Sequence, residues 1–255
     1  MSISLRKMSL AILASALLSS TAHAGIFDFD PAPGGAYVSG FVGGAFPFDA
    51  NFDGTQDPAA GVPGVAGADA DIDAEFDTDV VFGGAVGVKL PFRYWKYFQP
   101  RLELEVSHFE ADVDEGDFNG GDQTFSGDQS LTFYLINNVS DFQWTDNQRV
   151  IPYFGGGIGV ATVDTDIQYF PNNGVATAPT FAAQGDDTAF ATVSNIGLTF
   201  KATDKFDIYT EARYYKLYGV DAERTFIGDG GEGFNADVDD DTDGFTLTVG
   251  ARINF

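Results

Sequence analysis

The chain has 255 residues, a formal net charge of −25, 44% hydrophobic and 15% aromatic residues, and no cysteine. The apolar content is too high for a disordered acidic chain, and the lack of cysteine excludes a disulfide framework and a lipoprotein anchor. The acidic balance also argues against nucleic-acid binding, because such a surface repels the phosphate backbone.

Residues 1–24 have the pattern of a cleaved secretory signal peptide. Arg6 and Lys7 precede a short apolar stretch, and Ala22–Ala24 has the form of a cleavage site. The apolar stretch is too short to span a bilayer as a helix, and no later stretch reaches about 18 apolar residues. We therefore predict export, followed by one mature domain over residues 25–255.

Eight segments of the mature chain alternate apolar and polar residues with the period of a β-strand. The last is the strictest: from Phe245 to Phe255 one parity is wholly apolar and the other is polar, as in a strand between lipid and a polar interior. Glycines within several segments fit a curved barrel wall or, alternatively, a glycine-rich sandwich core. The predicted strands are Gly35–Phe46, Thr78–Leu90, Gln99–Ala111, Ser130–Asp141, Val150–Asp164, Ala189–Lys201, Lys205–Tyr218 and Gly244–Phe255.

The connections between these segments alternate in length. Acidic residues crowd the long connections, whereas bases and both tryptophans, Trp95 and Trp144, lie at the short ones. Tryptophan favours the membrane interface, so we interpret this pair as an interface girdle on the periplasmic side. The long connections are 47–77, 112–129, 165–188 and 219–243, and the short ones are 91–98, 142–149 and 202–204.

This layout predicts an all-β, eight-stranded antiparallel transmembrane β-barrel with four long extracellular loops. The location is then the cell outer membrane of a Gram-negative bacterium. Strand parity predicts which charged residues face the interior, where an eight-stranded barrel is just wide enough to be filled by side chains. We interpret them as an ion-pair plug that holds the wall, with a gate or ion path as the alternative. These residues are Arg101, Glu103, Glu105, Glu211, Arg213 and Arg252.

Three segments and the terminal Phe255 resemble the OmpA/OmpX-like family of small outer-membrane β-barrels. The segments are Arg101–Glu105, Pro152–Val160 and Tyr209–Tyr214. The resemblance implies that the barrel-assembly machinery reads the end strand, with Phe245 and Phe255 as its aromatic signal. Outer-membrane lipid and lipopolysaccharide are the other expected partners. No peptidoglycan-binding domain follows the barrel, so we expect no anchoring to the cell wall.

The sequence offers little for catalysis. Apart from a histidine in the signal peptide, the only one is His108, whose parity points it toward lipid, and the adjacent Ser107 points to the opposite face. We therefore predict no enzymatic activity and no cofactor.

Asp239, Asp241 and Asp243 match the first half of a calcium loop and are candidates for weak Ca²⁺ binding, with a merely solvated surface as the alternative.

The predicted function is non-enzymatic: a structural or surface-interaction role, carried by acidic extracellular loops whose ligand the sequence does not identify. A small cation-favouring porin is the alternative, and a soluble periplasmic binding sandwich is a more distant one. We expect a monomer that does not bind nucleic acid.

Overall fold

The computed structural model describes residues 29–48, 50–56, 66–70, 72–118, 121–145, 147–170, 178–226 and 236–255. Their regular structure consists of fourteen β-strands in a single sheet. Within these ranges no helix is long and apolar enough to cross a membrane. The predicted signal peptide, residues 1–24, lies outside the described residues.

The strands lie close to the predicted segments, but there are more of them. They are β1 (Phe29–Pro31), β2 (Gly35–Pro47), β3 (Ala50–Gln56), β4 (Ile72–Phe76), β5 (Asp79–Lys89), β6 (Phe92–Tyr94), β7 (Phe98–Phe118), β8 (Gly121–Phe142), β9 (Val150–Phe170), β10 (Phe181–Lys201), β11 (Phe206–Tyr218), β12 (Val220–Phe226), β13 (Ala236–Asp240) and β14 (Asp243–Asn254).

One set of antiparallel ladders returns to its starting strand. Its order is β2, β5, β7, β8, β9, β10, β11, β14 and back to β2. We call this set the turn-side ring, because the short connections 90–97, 143–149 and 202–205 lie at its end. The end strand therefore pairs with the first long strand of the chain.

A second set of ladders also returns to its start. Its order is β7, β8, β9, β10, β12, β13, β3, β4 and back to β7. We call it the loop-side ring. The four strands common to both rings, β7 to β10, are 21 or 22 residues long, whereas β2, β5, β11 and β14 have 11 to 13.

The prediction of eight strands separated by four long loops is therefore corrected. The acidic connections hold β3, β4, β12, β13 and the extensions of β7 to β10. Their acidic residues alternate with apolar ones: Ile72 and Ala74 are fully buried, while Asp73 and Glu75 are exposed. A high acid content suggested loops, but the acids form the outer faces of strands.

The two rings have opposite polarity. The turn-side ring has apolar side chains outside, with Leu104 58% and Ile196 65% exposed, and buries Arg101 and Arg252. The loop-side ring exposes acids and encloses an apolar cluster. The cluster extends to Tyr215 on β11 of the turn-side ring, and its largest fully buried members are Tyr215, Phe52, Phe109, Ile72, Leu131 and Ile167.

Three inward tyrosines of the turn-side ring each lie over a glycine that is their direct partner on the next strand. A Cβ at each glycine would lie 2.3 Å from the tyrosine ring, so only glycine admits this approach. The pairs are Tyr37 with Gly87, Tyr153 with Gly197 and Tyr209 with Gly250.

We expect Gly250→Ala to lower the free energy of unfolding by about 1–3 kcal/mol, because its methyl group would overlap the ring of Tyr209. Gly40→Ala is the matched control, since a Cβ there meets nothing closer than a carbonyl oxygen at 3.8 Å. Urea unfolding of the refolded protein in detergent measures both. Equal losses would show that the tyrosine–glycine contacts do not restrict these positions.

Candidate functional site

The six charged residues that strand parity predicted to face inward lie together inside the turn-side ring. We call them the interior charge cluster: Arg101, Glu103, Glu105, Glu211, Arg213 and Arg252. They meet because β7 alternates these charges with Leu104 and Val106, which face outward and are about half exposed. β11 and β14 contribute the partners from the same level of the ring.

Arg213 organises one half of the cluster. Its guanidinium binds both carboxylate oxygens of Glu105, with Nη2 2.8 Å from Oε2, and Nη2 also donates to Glu211 Oε1 at 2.8 Å. Asn137 Nδ2 and the Ser107 hydroxyl donate to the Glu105 carboxylate at 2.9 and 3.2 Å. Charge-assisted, two-pronged contacts of this kind are the strong ones in a protein interior.

Glu103 joins the other half. Its Oε1 accepts the Tyr37 hydroxyl at 2.5 Å and lies 3.4 Å from Arg101 Nε and 3.9 Å from Arg252 Nη2. The guanidinium carbons of Arg101 and Arg252 also stand over tyrosine rings, 4.5 Å from the centre of Tyr153 and 4.7 Å from that of Tyr37. Each buried cation therefore faces both a carboxylate and an aromatic ring.

Sequence reasoning missed two carboxylates that complete this half. Arg101 Nη1 lies 3.6 Å from Asp141 Oδ1, and Arg252 Nη1 lies 3.8 Å from Asp207 Oδ2. Lys89 Nζ is also 3.6 Å from Asp207 Oδ2. Parity could have found both acids, because Asp141 and Asp207 lie at the same alternation as inward residues on β8 and β11.

The cluster fills the ring. A cavity among its members, bounded also by Phe41 and Tyr209, measures about 10 Å³. That volume holds about one water molecule. A second cavity of about 10 Å³ lies next to it, between Arg213 and Tyr215. The arrangement is thus that of a packed set of ion pairs.

His108 faces outward and Ser107 inward, as predicted from their parity. The imidazole Nδ1 lies 2.9 Å from Thr132 Oγ1, and the ring contacts Phe82 at 5.4 Å between centres. Ser107 instead donates to Glu105 inside the ring. Opposite faces of one strand cannot form a nucleophile–base pair.

Two of the three predicted calcium ligands, Asp241 and Asp243, have protein partners in the structure. Asp241 accepts hydrogen bonds from the Gly219 amide at 3.0 Å and contacts Lys216 Nζ at 3.1 Å, and these contacts lower the pKa of its carboxyl. Asp243 accepts the Tyr214 hydroxyl at 2.6 Å. Asp239 lies on β13, and no group of three or more acidic or histidine side chains in the described ranges is arranged to hold a metal ion.

The predicted girdle lies in an aromatic cluster at the turn-side end. Trp95 and Trp144 are 55% and 53% exposed. Trp95 contacts Phe98 at 6.1 Å and Trp144 contacts Phe142 at 5.3 Å between ring centres. The predicted assembly residues face outward as well, with Phe245 44% and Phe255 78% exposed.

No protein-family model and no curated protein matches the chain. Solved structures do match. The crystal structure of the outer membrane protein OprG from Pseudomonas aeruginosa has a TM-score of 0.53 and 16% identity, over 88% of this chain and 97% of that one. The outer membrane protease OmpT from Escherichia coli has a TM-score of 0.50 and 9% identity, over 90% and 99%.

The chain has the fold of an outer-membrane β-barrel protein. The resemblance drawn from the sequence is confirmed at the level of the fold by the likeness to OprG, and the matched structures include further outer-membrane proteins. One of them, Neisserial surface protein A, is 13% identical over 88% of this chain and 99% of that one, with a TM-score of 0.41.

We expect the pair of Glu105 and Arg213 to be energetically coupled. Glu105→Ala should lower the free energy of unfolding by about 3–5 kcal/mol, because the buried guanidinium of Arg213 loses one of its two carboxylate partners. Arg213→Ala should cost at least as much, since two carboxylates remain. The double variant should lose less than the sum of the two.

Urea unfolding of the four proteins in detergent measures this coupling. Glu75→Ala is the control, because Glu75 is exposed on the loop-side ring, and it should change stability by no more than about 0.5 kcal/mol. Strictly additive losses from the single variants would contradict the coupling.

Proposed function

We propose that the turn-side ring is an eight-stranded transmembrane barrel in the outer membrane, and that the loop-side ring projects from it. The observation that carries this proposal is the reversal of polarity between the two rings. We call the outward apolar side chains of the turn-side ring, such as Leu104 and Ile196, the collar. An apolar exterior around a charged interior suits lipid, whereas an acidic exterior around an apolar core suits water. Both occur along the same four strands, β7 to β10.

Strand lengths support the same division. A transmembrane strand needs about 9–11 residues, and β2, β5, β11 and β14 have 11 to 13. The longer β7 to β10 have about ten residues to spare, which reach into the loop-side ring. Short turns mark the periplasmic side of such barrels, so the loop-side ring would face outward from the cell. Both tryptophans would then belong to the periplasmic interface.

In this proposal the chain is exported with cleavage of residues 1–24 and assembled as a monomer by the barrel-assembly machinery, with lipid and lipopolysaccharide around the collar. The role is structural or one of surface interaction, carried by the acidic exterior of the loop-side ring. On that exterior, acidic residues lie directly opposite one another on neighbouring strands: Asp128 is the cross-strand partner of both Asp112 and Asp166. Partial burial and these neighbours raise the pKa of the Asp128 carboxyl.

A non-enzymatic role is supported by the separation of Ser107 from His108. One of the matched structures, OmpT, is a protease, but at 9% identity the likeness extends to the fold alone. The packed interior likewise favours a structural protein over a small cation-favouring porin.

If the collar faces lipid, an arginine introduced on the outer face of β10 should destabilise the protein in the turn-side ring but not in the loop-side ring. Ile196→Arg should lower the free energy of unfolding by about 2–4 kcal/mol, because it places a cation near the bilayer midplane. Gln184→Arg lies on the same face of the same strand but on the loop-side ring, beside Asp166 at 2.7 Å. It should leave stability within about 0.5 kcal/mol.

Unfolding of both variants in lipid bilayers by urea checks this prediction. Equal effects of the two arginines would mean that the membrane does not end between these positions.

Conductance separates the structural role from the porin. The wild-type protein in a planar bilayer should show no stable, sizeable openings, because the interior charge cluster leaves room for about one water. The variant with Arg101, Arg213 and Arg252 all changed to alanine serves as the comparison, provided that it still folds. Steady wild-type channels would overturn the structural reading and favour the porin.

A further inference from the structure

A separate depression opens at the turn-side end of the chain. Its volume is about 700 Å³, within the range of about 300–1,000 Å³ typical of small-molecule sites. We call it the vestibule. Its walls come from the short turns, from the segment before β2, from Asn254 at the end of β14 and from the following Phe255.

The vestibule has a closed polar floor. Gln99 Nε2 donates to the carbonyl oxygens of Pro33 at 2.6 Å and Leu90 at 2.9 Å. Lys89 Nζ donates to Asn254 Oδ1 at 3.0 Å and lies 3.6 Å from Asp207 Oδ2. The floor is thus tied together by side chains, and the interior charge cluster fills the ring beyond it.

The lining carries more positive than negative charge, although the chain as a whole is strongly acidic. Lys89 is matched by Asp207, whereas the side chains of Arg149 and Lys201 make no hydrogen bond or ion pair within the described residues. Their backbones are joined, because the Lys201 amide donates to the Arg149 carbonyl oxygen at 2.8 Å. The bases of the lining are Lys89, Arg93, Arg149 and Lys201, and the acidic side chains are Asp204 and Asp207.

Contact with lipid headgroups does not explain these bases. Lys201 has the inward parity of Thr199, which is buried, while Phe200 between them is 44% exposed on the outer face. Lys89 has the inward parity of Ala85 on β5. Bases that anchor a barrel in headgroups would point outward.

The acids of the loop-side ring are too distant to neutralise the vestibule. Lys201 and Asp186 are on one strand, and the residues between them span about 50 Å at the usual rise per residue. Charges in solution are screened over about 8 Å at physiological salt. The local positive potential therefore acts on any solute that enters the vestibule.

We propose that the vestibule binds a small soluble polyanion that presents phosphate oxygens, of the pyrophosphate or phosphate-ester type. The planar guanidinium of Arg149 would donate two parallel N–H hydrogen bonds to phosphate oxygens, and the ammonium of Lys201 would supply a compact positive charge. Amide side chains of the lining, Gln143 and Gln148, are placed to donate to further oxygens once their present bonds are exchanged.

Pyrophosphate is the probe, added to the refolded full chain in zwitterionic detergent. Tryptophan fluorescence gives a local readout, because the Trp144 amide donates to Gln148 Oε1 at 2.8 Å and Gln148 lines the vestibule. The wild-type protein should show saturable binding that weakens with added salt. The double variant Arg149→Gln/Lys201→Gln should bind at least about tenfold more weakly.

Lys96→Gln/Lys205→Gln is the matched control. It removes the same net charge from the turn-side end, with Lys96 in the connection 90–97 and Lys205 in the connection 202–205, but both lysines are exposed and lie outside the lining. This variant should bind pyrophosphate within about twofold of the wild-type protein. All three proteins should keep the unfolding midpoint of the wild type, since the changed side chains are at the surface.

Three results would overturn the proposal: no saturable binding by the wild-type protein, equal weakening in the two double variants, or competition by anionic phospholipid in nanodiscs. The last would mean that the phosphate belongs to a lipid headgroup. In detergent both ends of the ring are accessible, so failure of this test leaves the proposed membrane placement untouched.

Discussion

The alternation of side chains along β7 to β10 is the constraint on which the rest of the structure depends. In a strand, successive residues face opposite sides, so one register fixes every inward and outward residue over 21 or 22 positions. What changes along these strands is the type of residue on each side. In the half of each strand nearer the turns, charged residues face the interior. In the other half, apolar residues face the interior.

The interior charge cluster is compatible with burial because its charges are matched at short range. Isolated ions inside a protein are costly, and a pair compensates only when its geometry and remaining hydrogen bonds are good. Arg213 meets that condition with Glu105 and Glu211, which Asn137 and Ser107 help to satisfy. The contacts of Arg101 and Arg252 are longer, and tyrosine rings cover the rest of their guanidinium groups.

The loop-side ring closes the interior by different means. Its apolar cluster continues the inward faces of β7 to β10, adds residues from β3, β4, β12 and β13, and extends into the turn-side ring as far as Ala45, Val81 and Tyr215. In the function proposed above, an interior filled by ion pairs at one end and by apolar packing at the other favours stiffness over passage. The proposal therefore assigns interactions to the surfaces at the two ends, an acidic exterior on one side and a basic vestibule on the other.

The sequence by itself determined the strand parity, and with it the six members of the interior charge cluster, the outward His108 and the aromatic turn-side end. Those features depend on spacing within one strand. Only the tertiary structure decided that acidic segments such as Ile72–Phe76 are strands and that Asp141 and Asp207 complete the cluster. The reason is that ring closure pairs residues far apart in the chain: Glu105 meets Arg213 across 108 positions, and Lys89 meets Asn254 across 165. No local sequence pattern encodes such distant partners. For the same reason a segment rich in acidic residues is predicted as a loop, and only the tertiary structure shows that its alternating apolar residues are buried in a common core.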